Sequence, residues 1–463
     1  MPLQPQSTGT LFSPDAPVAY DWLFLDMNSY FANVEQQTQP RLRGFPVVVV
    51  PAETDFTCAI AASQEAKRFG IKTGTGIREA RLRCPGLVCV LADHRKYVEY
   101  HHRVCAEVDR HVPVEMVMSV DEMACRLQGD WRTPAGAVAL AQRLKAGLRR
   151  NVGEWLTSFI GISTNRLLAK TASDLQKPDG LVTLHPTELP ARIAHLELHD
   201  LPGIGPNMER RLWAAGIYTI PQLWACAPKQ LRALWGSVAG ERFWYALRGV
   251  ELPEEPTQRR MVGHSHVLAP AERPAEVAGA VLRRLLLKAA SRLRHLGFYA
   301  TRLDIALRVE KGPRLEAGTH LPPTCDNFTL LDALARLWTT TTAEAGPVRF
   351  KKVSLTLHGL VPPDELRQLE LFDARGQVSL PRAQAGVEDR KRQQRERLSE
   401  AMEAINRRFG RDSVTVGVMP GAARNFTGAK VAFNRVPEAR DFDDLGERRI
   451  FPLSRTRPQP REP

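Results

Sequence analysis

A chain of 463 residues is too long for one hydrophobic core and implies three or more domains. With 64 Lys and Arg against 51 Asp and Glu it carries a net charge of +13, which suits a polyanionic partner, and its 43% apolar content is that of a globular chain. No run of eighteen apolar residues is available to span a bilayer, so no membrane partner is expected, and residues 1–20, rich in Pro, Ser and Thr and read as a flexible arm, lack the basic start and apolar centre of a secretory signal.

The apolar run Trp22-Leu23-Phe24-Leu25 ends on Asp26, and Met27-Asn28-Ser29-Tyr30-Phe31-Ala32 follows, so a strand is expected to deliver Asp26 to a sheet edge, with a helix starting beyond it. Val47 to Val50 reads as a buried strand. The stretch from Cys58 to Gly70 turns helical in its second half, with Lys67 and Arg68 in the last turn and Gly70 as C-cap. From residue 94, Tyr97, Tyr100, Val104 and Val108 give a helical spacing that runs into an apolar stretch, Val114 to Val120, read as a strand. At its end stands Ser119-Val120-Asp121-Glu122. Residues 136–151 predict an amphipathic helix, Ser158 to Ser163 a strand, and Asn165 to Lys177 a helix stopped by Pro178.

Three carboxylates at one sheet edge would repel and partly protonate without a cation between them. Hard oxygen donors select Mg²⁺ or Mn²⁺ over zinc, and paired ions of this kind clamp the attacking and leaving oxygens of a phosphoryl transfer. Either acidic motif alone reads more readily as surface acids at a strand end, and only the two together with what accompanies them reverse that reading.

After His185-Pro186, the sequence Leu201-Pro202-Gly203-Ile204-Gly205-Pro206 reads as a helix-hairpin-helix turn, whose glycines let backbone amides face a phosphate, with Arg210 and Arg211 adding charge; a plain helix connection is the other reading. Residues 249–260 form a linker. Beyond it the pattern is strand 262–268, helix 273–296, strand 299–309, loop, helix 328–341 and strand 349–360, a doubled βαβ outline that predicts a four-stranded sheet backed by two helices. Residues 256–360 hold 16 Arg or Lys against 8 Asp or Glu, a concentration suited to the backbone of duplex DNA. Residues 388–409 carry Leu398, Met402, Ile405 and Phe409 at helical spacing, read as a short helix packing on its own tail. The seven cysteines include no Cys-x-x-Cys pair and no histidines at zinc spacing, so reduced, mostly buried thiols in a cytoplasmic protein are expected.

The two acidic motifs, followed in order by Gly161 to Lys170, Ser173 to Gly180 and Leu201 to Gly205, resemble the Y-family DNA polymerases, the translesion enzymes. The likeness covers about residues 20 to 360. It implies an α+β right-hand polymerase: palm at 21–50 and 94–185, small fingers at 51–93, helical thumb with the helix-hairpin-helix at 186–248, linker at 249–260, a βαββαβ little finger at 261–360, and a partly flexible C-terminal tail at 361–463. It also implies that Asp26, Asp121, Glu122 and the carbonyl of Met27 hold two Mg²⁺ ions, with Mn²⁺ as substitute. Phe31 would be the steric gate that excludes a 2′-hydroxyl, Tyr30 a lesser stacking surface, and Lys177 the charge on the β/γ-phosphates. Asn28 stands where some relatives have Asp, and its side chain need not be a ligand.

The chain departs from the family where many members have Thr, Tyr and Arg and it has Ala61, Gln64 and Lys67. Each lost hydrogen bond to triphosphate should weaken nucleotide binding by about 1 kcal/mol, and Lys67 keeps charge without the bidentate fork. Ala61 and Lys67 suggest the UmuC-like branch. Gln368-Leu369-Glu370-Leu371-Phe372 resembles the pentapeptide with which bacterial polymerases dock on the sliding clamp, through Gln368, Leu369, Leu371 and Phe372. The expected activity is template-directed, low-fidelity addition of dNTPs to a primer 3′-end in the bacterial nucleoid. Primer-template DNA, the clamp and accessory translesion or recombinase proteins are the expected partners. The rival from another class is a catalytically silent adaptor binding DNA and clamp; an RNA-copying enzyme is disfavoured by Phe31.

Overall fold

The computed structural model describes residues 18–253, 259–343, 348–365, 382–409, 413–417 and 436. They fall into two units, one containing residues 18–253 and Val436 and the other residues 259–417. No helix among the described residues is long and apolar enough to cross a membrane.

The first unit is built on a five-stranded sheet in the order Val114–Val117, Glu122–Arg126, Trp22–Met27, Ser158–Ser163, Leu181–Thr183, antiparallel except for the last pair. Alternation along Trp22–Met27 splits its side chains between two cores. Leu23, Leu25 and Met27 join Tyr97, Val104 and Val108 of the helix His94–Asp109 and Leu140 and Leu144 of the helix Pro134–Gly147. Trp22 and Phe24 pack on the opposite side with Ala124 and Ala169. There the helix Arg166–Asp174 lies so close that a Cβ on Gly161 would sit 2.0 Å from the Ala169 carbonyl oxygen. Only glycine permits that approach.

Two expectations change here. The apolar stretch 114–120 is not one strand: pairing ends at Val117, and Ser119 to Asp121 form a turn before Glu122 opens the next strand. The N–H groups of Met118 and Ser119 both donate to the Glu122 carbonyl, at 2.9 and 3.1 Å, so the backbone reverses where sequence periodicity reads straight on. Val47–Val50, grouped with the palm by sequence, instead pairs with Ala61–Ala62 and, in parallel, with Val88–Leu91 in a separate three-stranded sheet.

Four helices, Pro206–Ala214, Ile220–Ala225, Pro228–Trp235 and Val238–Leu247, follow around Leu212, Ile220, Leu223, Leu231 and Leu247. Arg248 is buried between the rings of Trp224 and Trp244, its guanidinium 3.6 Å from the Trp244 ring centre.

The second unit is a four-stranded antiparallel sheet in the order Arg314–Thr324, Tyr299–Val309, Phe350–Val361, Met261–Val267, packed on the helices Ala275–His295 and Asn327–Ala343. The passage read as a loop supplies the edge strand Arg314–Thr324. It contains Pro322 and Pro323, which an edge position tolerates because one side of the strand has no ladder to donate to. The helix Arg382–Phe409 also corrects its reading. It docks on this unit through polar contacts: the buried Ser399 hydroxyl accepts from the Asn327 N–H at 3.0 Å, and Glu403 pairs with Arg294 at 2.8 Å. Of its apolar residues Met402 is buried, while Leu398, Ile405 and Phe409 are exposed.

Candidate active site

The sheet register puts the acids together. Asp26 and Glu122 are direct cross-strand partners, and the Met27 N–H donates to the Asp121 carbonyl at 2.9 Å, joining the strand of the first motif to the turn of the second. Ser119 builds that turn. Its oxygen accepts from the N–H groups of Asp121 and Glu122, at 3.3 and 3.1 Å, while its hydroxyl donates to Asp121 Oδ1 at 2.5 Å. A small hydroxylated residue two positions before the acid is therefore a structural requirement of the motif.

Burial, then the charges of Asp121 and Glu122, push the Asp26 carboxyl up from 3.8 to about 8. The Asp121 carboxyl is also raised, by burial and Glu122 against the Ser119 bond. Burial is the larger cause for both carboxyls, and the neighbouring acids add to it more than Lys177 and Lys170 offset. As they stand, however, the side chains do not form a closed cage: among the described residues no three His, Cys, Asp or Glu side chains gather to hold a metal. Glu122 is drawn instead to Lys170, with Oε1 2.6 Å from Nζ, and Asp121 to Ser119. The backbone register brings the three acids to neighbouring positions, while their side chains, among the described residues, do not gather as the shared ligand set expected from sequence.

Two cations complete the cluster. Burial disfavours the Lys177 charge, but Asp174, paired at 2.5 Å, and then Asp26 and Glu122 hold its pKa above the usual value. Lys67, at the end of the short helix Gln64–Lys67, is lowered by burial and by Lys177, against the attraction of Asp26. Both lysines thus feel Asp26, from segments 110 residues apart in sequence.

Phe31 stacks on Tyr97 with ring centres 4.2 Å apart and planes 13° from parallel, and it meets His94 edge to face with ring centres 6.0 Å apart. The Tyr97 hydroxyl is tied to the buried Glu35 at 2.8 Å, which in turn pairs with Lys96 at 2.8 Å. Tyr30 does not fit its expected stacking role. It is 3% exposed and its hydroxyl donates to the Tyr97 carbonyl at 2.7 Å, so its ring belongs to the core.

Three residues were given no role at the site by the sequence reading: Tyr97 under Phe31, Lys170 on Glu122, and Lys145. Lys145 donates to the carbonyls of Ser158 and Asp179, at 2.5 and 2.9 Å, and pairs with the Asp179 carboxylate at 2.6 Å, fixing the loop that carries Lys177. Its only sequence signal is a charge among the apolar positions of the helix Pro134–Gly147. In the helical region, Gly203 adopts φ +95° and Gly205 caps the helix Pro206–Ala214, on which Arg210 and Arg211 sit in an exposed turn. Gln368, Leu369, Leu371 and Phe372 lie outside the described residues.

A model of the impB/mucB/samB family matches residues 25–174, a DNA polymerase-iota thumb-domain model matches 199–251, and an impB/mucB/samB C-terminal-domain model matches 259–371. Similar curated proteins include DNA polymerase IV of Moorella thermoacetica, 35% identical over 357 residues, which are 76% of this chain and 88% of that protein. DNA polymerase IV of Halorhodospira halophila is 31% identical over 355 residues, 76% of this chain and 98% of that protein. In fold, the chain is similar to a solved Y-family DNA polymerase chimera of Dbh and Dpo4, with a TM-score of 0.61 at 21% identity over 74% of this chain and 99% of the other.

Proposed function

Since the chain belongs to the Y family of DNA polymerases, we propose that the acids of its five-stranded sheet form a two-metal nucleotidyl-transfer centre. The activity is that of a DNA-directed DNA polymerase of the translesion type, and low fidelity is inferred with it. Asp26, Asp121, Glu122 and the Met27 carbonyl would hold the ions; the donor set fits them, being all hard oxygen and short of positive charge. Bound there, Mg²⁺ or Mn²⁺ would acidify a primer 3′-hydroxyl and offset charge on the leaving pyrophosphate. Lys177 would meet the β/γ-phosphates as a point charge, with Lys67 adding to the field. Phe31 would lie against the sugar. The Gly203 to Gly205 turn, with Arg210 and Arg211, would take a DNA phosphate without reading sequence.

The observation that carries this reading is the sheet register, which sets the buried Asp26 directly across from Glu122 and ties the next residue, through the Met27 N–H, to the Asp121 carbonyl at 2.9 Å. Such an arrangement is costly unless it has a cation to bind. Primer extension by the purified chain with Mg²⁺, beside an Asp121→Ala/Glu122→Ala control, tests it: wild type extends and the control does not. Equal extension by both, or none by either, defeats the enzyme reading.

A second reading, a weak or silent adaptor on DNA and clamp, is favoured by the Lys170–Glu122 bond and by Ala61, Gln64 and Lys67, and the same assay separates the two. The domain limits derived from sequence are retained as proposals, with Val47–Val50 serving the fingers sheet. Clamp docking by Gln368 to Phe372, accessory translesion or recombinase partners and a place in the bacterial nucleoid follow from the family and its bacterial relatives. Kinship with the UmuC-like branch rests on Ala61 and Lys67 alone, while the relatives compared carry the name DNA polymerase IV.

A further inference from the structure

We propose that Gln64 is a positioning residue that locks the Asn28-Ser29 turn, and with it the ring of Phe31, to the fingers helix. The role of Phe31 rests on the polymerase reading; the contacts do not. Ser29 adopts φ 43°, ψ 41°, a left-handed conformation that serine rarely takes. Such a residue stays in place only where its surroundings over-determine it.

Those surroundings are specific. Ser29 makes no side-chain cap for the helix Tyr30–Thr38, and its hydroxyl donates to Asn28 Oδ1 at 3.2 Å instead. Asn28 is buried, its Nδ2 donating to Thr157 Oγ1 at 3.2 Å and its backbone N–H to the Thr157 carbonyl at 2.9 Å. Asn28 Oδ1 accepts a second bond from Gln64 Nε2, which also reaches Ser29 Oγ at 3.5 Å. An amide at position 28 is what this arrangement needs, because the side chain donates to one partner and accepts from two others. The same two helices are tied again one residue on, where Gln36 Nε2 donates to Glu65 Oε2 at 3.2 Å.

With its amide donors directed at Asn28 and Ser29, Gln64 has only its carbonyl oxygen left, an acceptor that repels a triphosphate. The geometry therefore separates positioning from nucleotide binding, and kinetics can do the same. Gln64→Met and Gln64→Glu keep the side-chain length and remove the donors. Single-nucleotide insertion is measured with dNTP and rNTP, together with hydrogen–deuterium exchange of residues 29–33 in metal-free protein and the melting temperature.

In both variants kcat for dNTP is expected to fall about fivefold, and the preference for dNTP over rNTP about five- to tenfold, with KM in the uncharged Gln64→Met within about twofold of wild type. The amides of residues 29–33 exchange about fivefold faster while the melting temperature holds, which a general loss of stability would not produce. A raised KM with kcat and sugar preference kept would make Gln64 a nucleotide ligand and overturn the proposal. Kinetics and exchange identical to wild type would overturn it equally. If wild type extends no primer, the polymerase reading fails on its own, and the exchange comparison, made without metal or nucleotide, still decides whether Gln64 holds the turn.

Discussion

Replacing Asp26 by Asn should stabilise the metal-free protein, an unusual outcome for a buried residue central to the site. The wild-type carboxyl is pushed from 3.8 up to about 8, first by burial and then by Asp121 and Glu122. Across that window the folded chain holds a proton that the unfolded chain has released, so folding loses stability as pH rises from about 4 to about 8. Taken at face value the gap costs about 4 kcal/mol at pH 7, and a discount of about half for relaxation around a buried charge leaves about 2 kcal/mol. Asparagine carries no such cost. In EDTA, Asp26→Asn should therefore melt about 4–8 °C above wild type at pH 8, with the gap closing toward pH 5. Mg²⁺ should raise wild type more than the variant, since a ligand stabilises only the state that binds it. Scanning calorimetry across pH 5–8 reads all of this. A variant that melts below wild type at pH 8, or a difference that ignores pH, would refute the picture of three crowded acids.

Phe31→Ala should admit ribonucleotides, lowering the preference for dNTP about 10- to 100-fold in competitive insertion assays, because the stack that holds its ring over Tyr97 leaves a gap when the ring goes. Lys177→Ala should raise KM for dNTP about tenfold, with kcat less affected, in steady-state kinetics. Gly203→Ala forces a Cβ onto a φ of +95° and should cost about 1–2 kcal/mol locally, read as weaker binding to primer-template in fluorescence anisotropy. Glu403→Ala leaves Arg294, whose side chain is 8% exposed, without its carboxylate and should destabilise the second unit by about 1–3 kcal/mol in denaturant melts.

Much of the fold was legible because the strands and helices obey simple periods. Tyr97, Tyr100, Val104 and Val108 are all buried on the helix their spacing predicted, and Trp22–Met27 and Ser158–Ser163 are the central strands. The misreadings share a cause, which is that tertiary contacts decide what local pattern leaves open. Val120 continues an apolar run, yet a serine side chain turns the backbone there. The strand Arg314–Thr324 carries two prolines and reads as loop, and only its edge position makes it tolerable. Tyr30 and Phe31 are adjacent aromatics, and only the helix beginning between Ser29 and Tyr30 sends one into the core and the other against Tyr97. The acids of the site were readable as motifs, whereas Lys145 and Lys170 were not, because a lysine that serves a distant loop or carboxylate has no local signature.

The docked helix at 382–409 alters where the second unit ends. The match to the C-terminal-domain model ends at residue 371, before the helix begins, and a chain cut there would keep all four strands and both covering helices. It would nevertheless strip the carboxylate from Arg294 and the hydroxyl from the Asn327 amide, and it would remove one wall of the open cleft of about 280 Å³ that Leu398 and Arg395 form with Phe328 and Asp332. A shortened protein designed on homology alone would thus carry a raw surface of its own making, and it would also lose the bond that the Val416 carbonyl receives from Arg283.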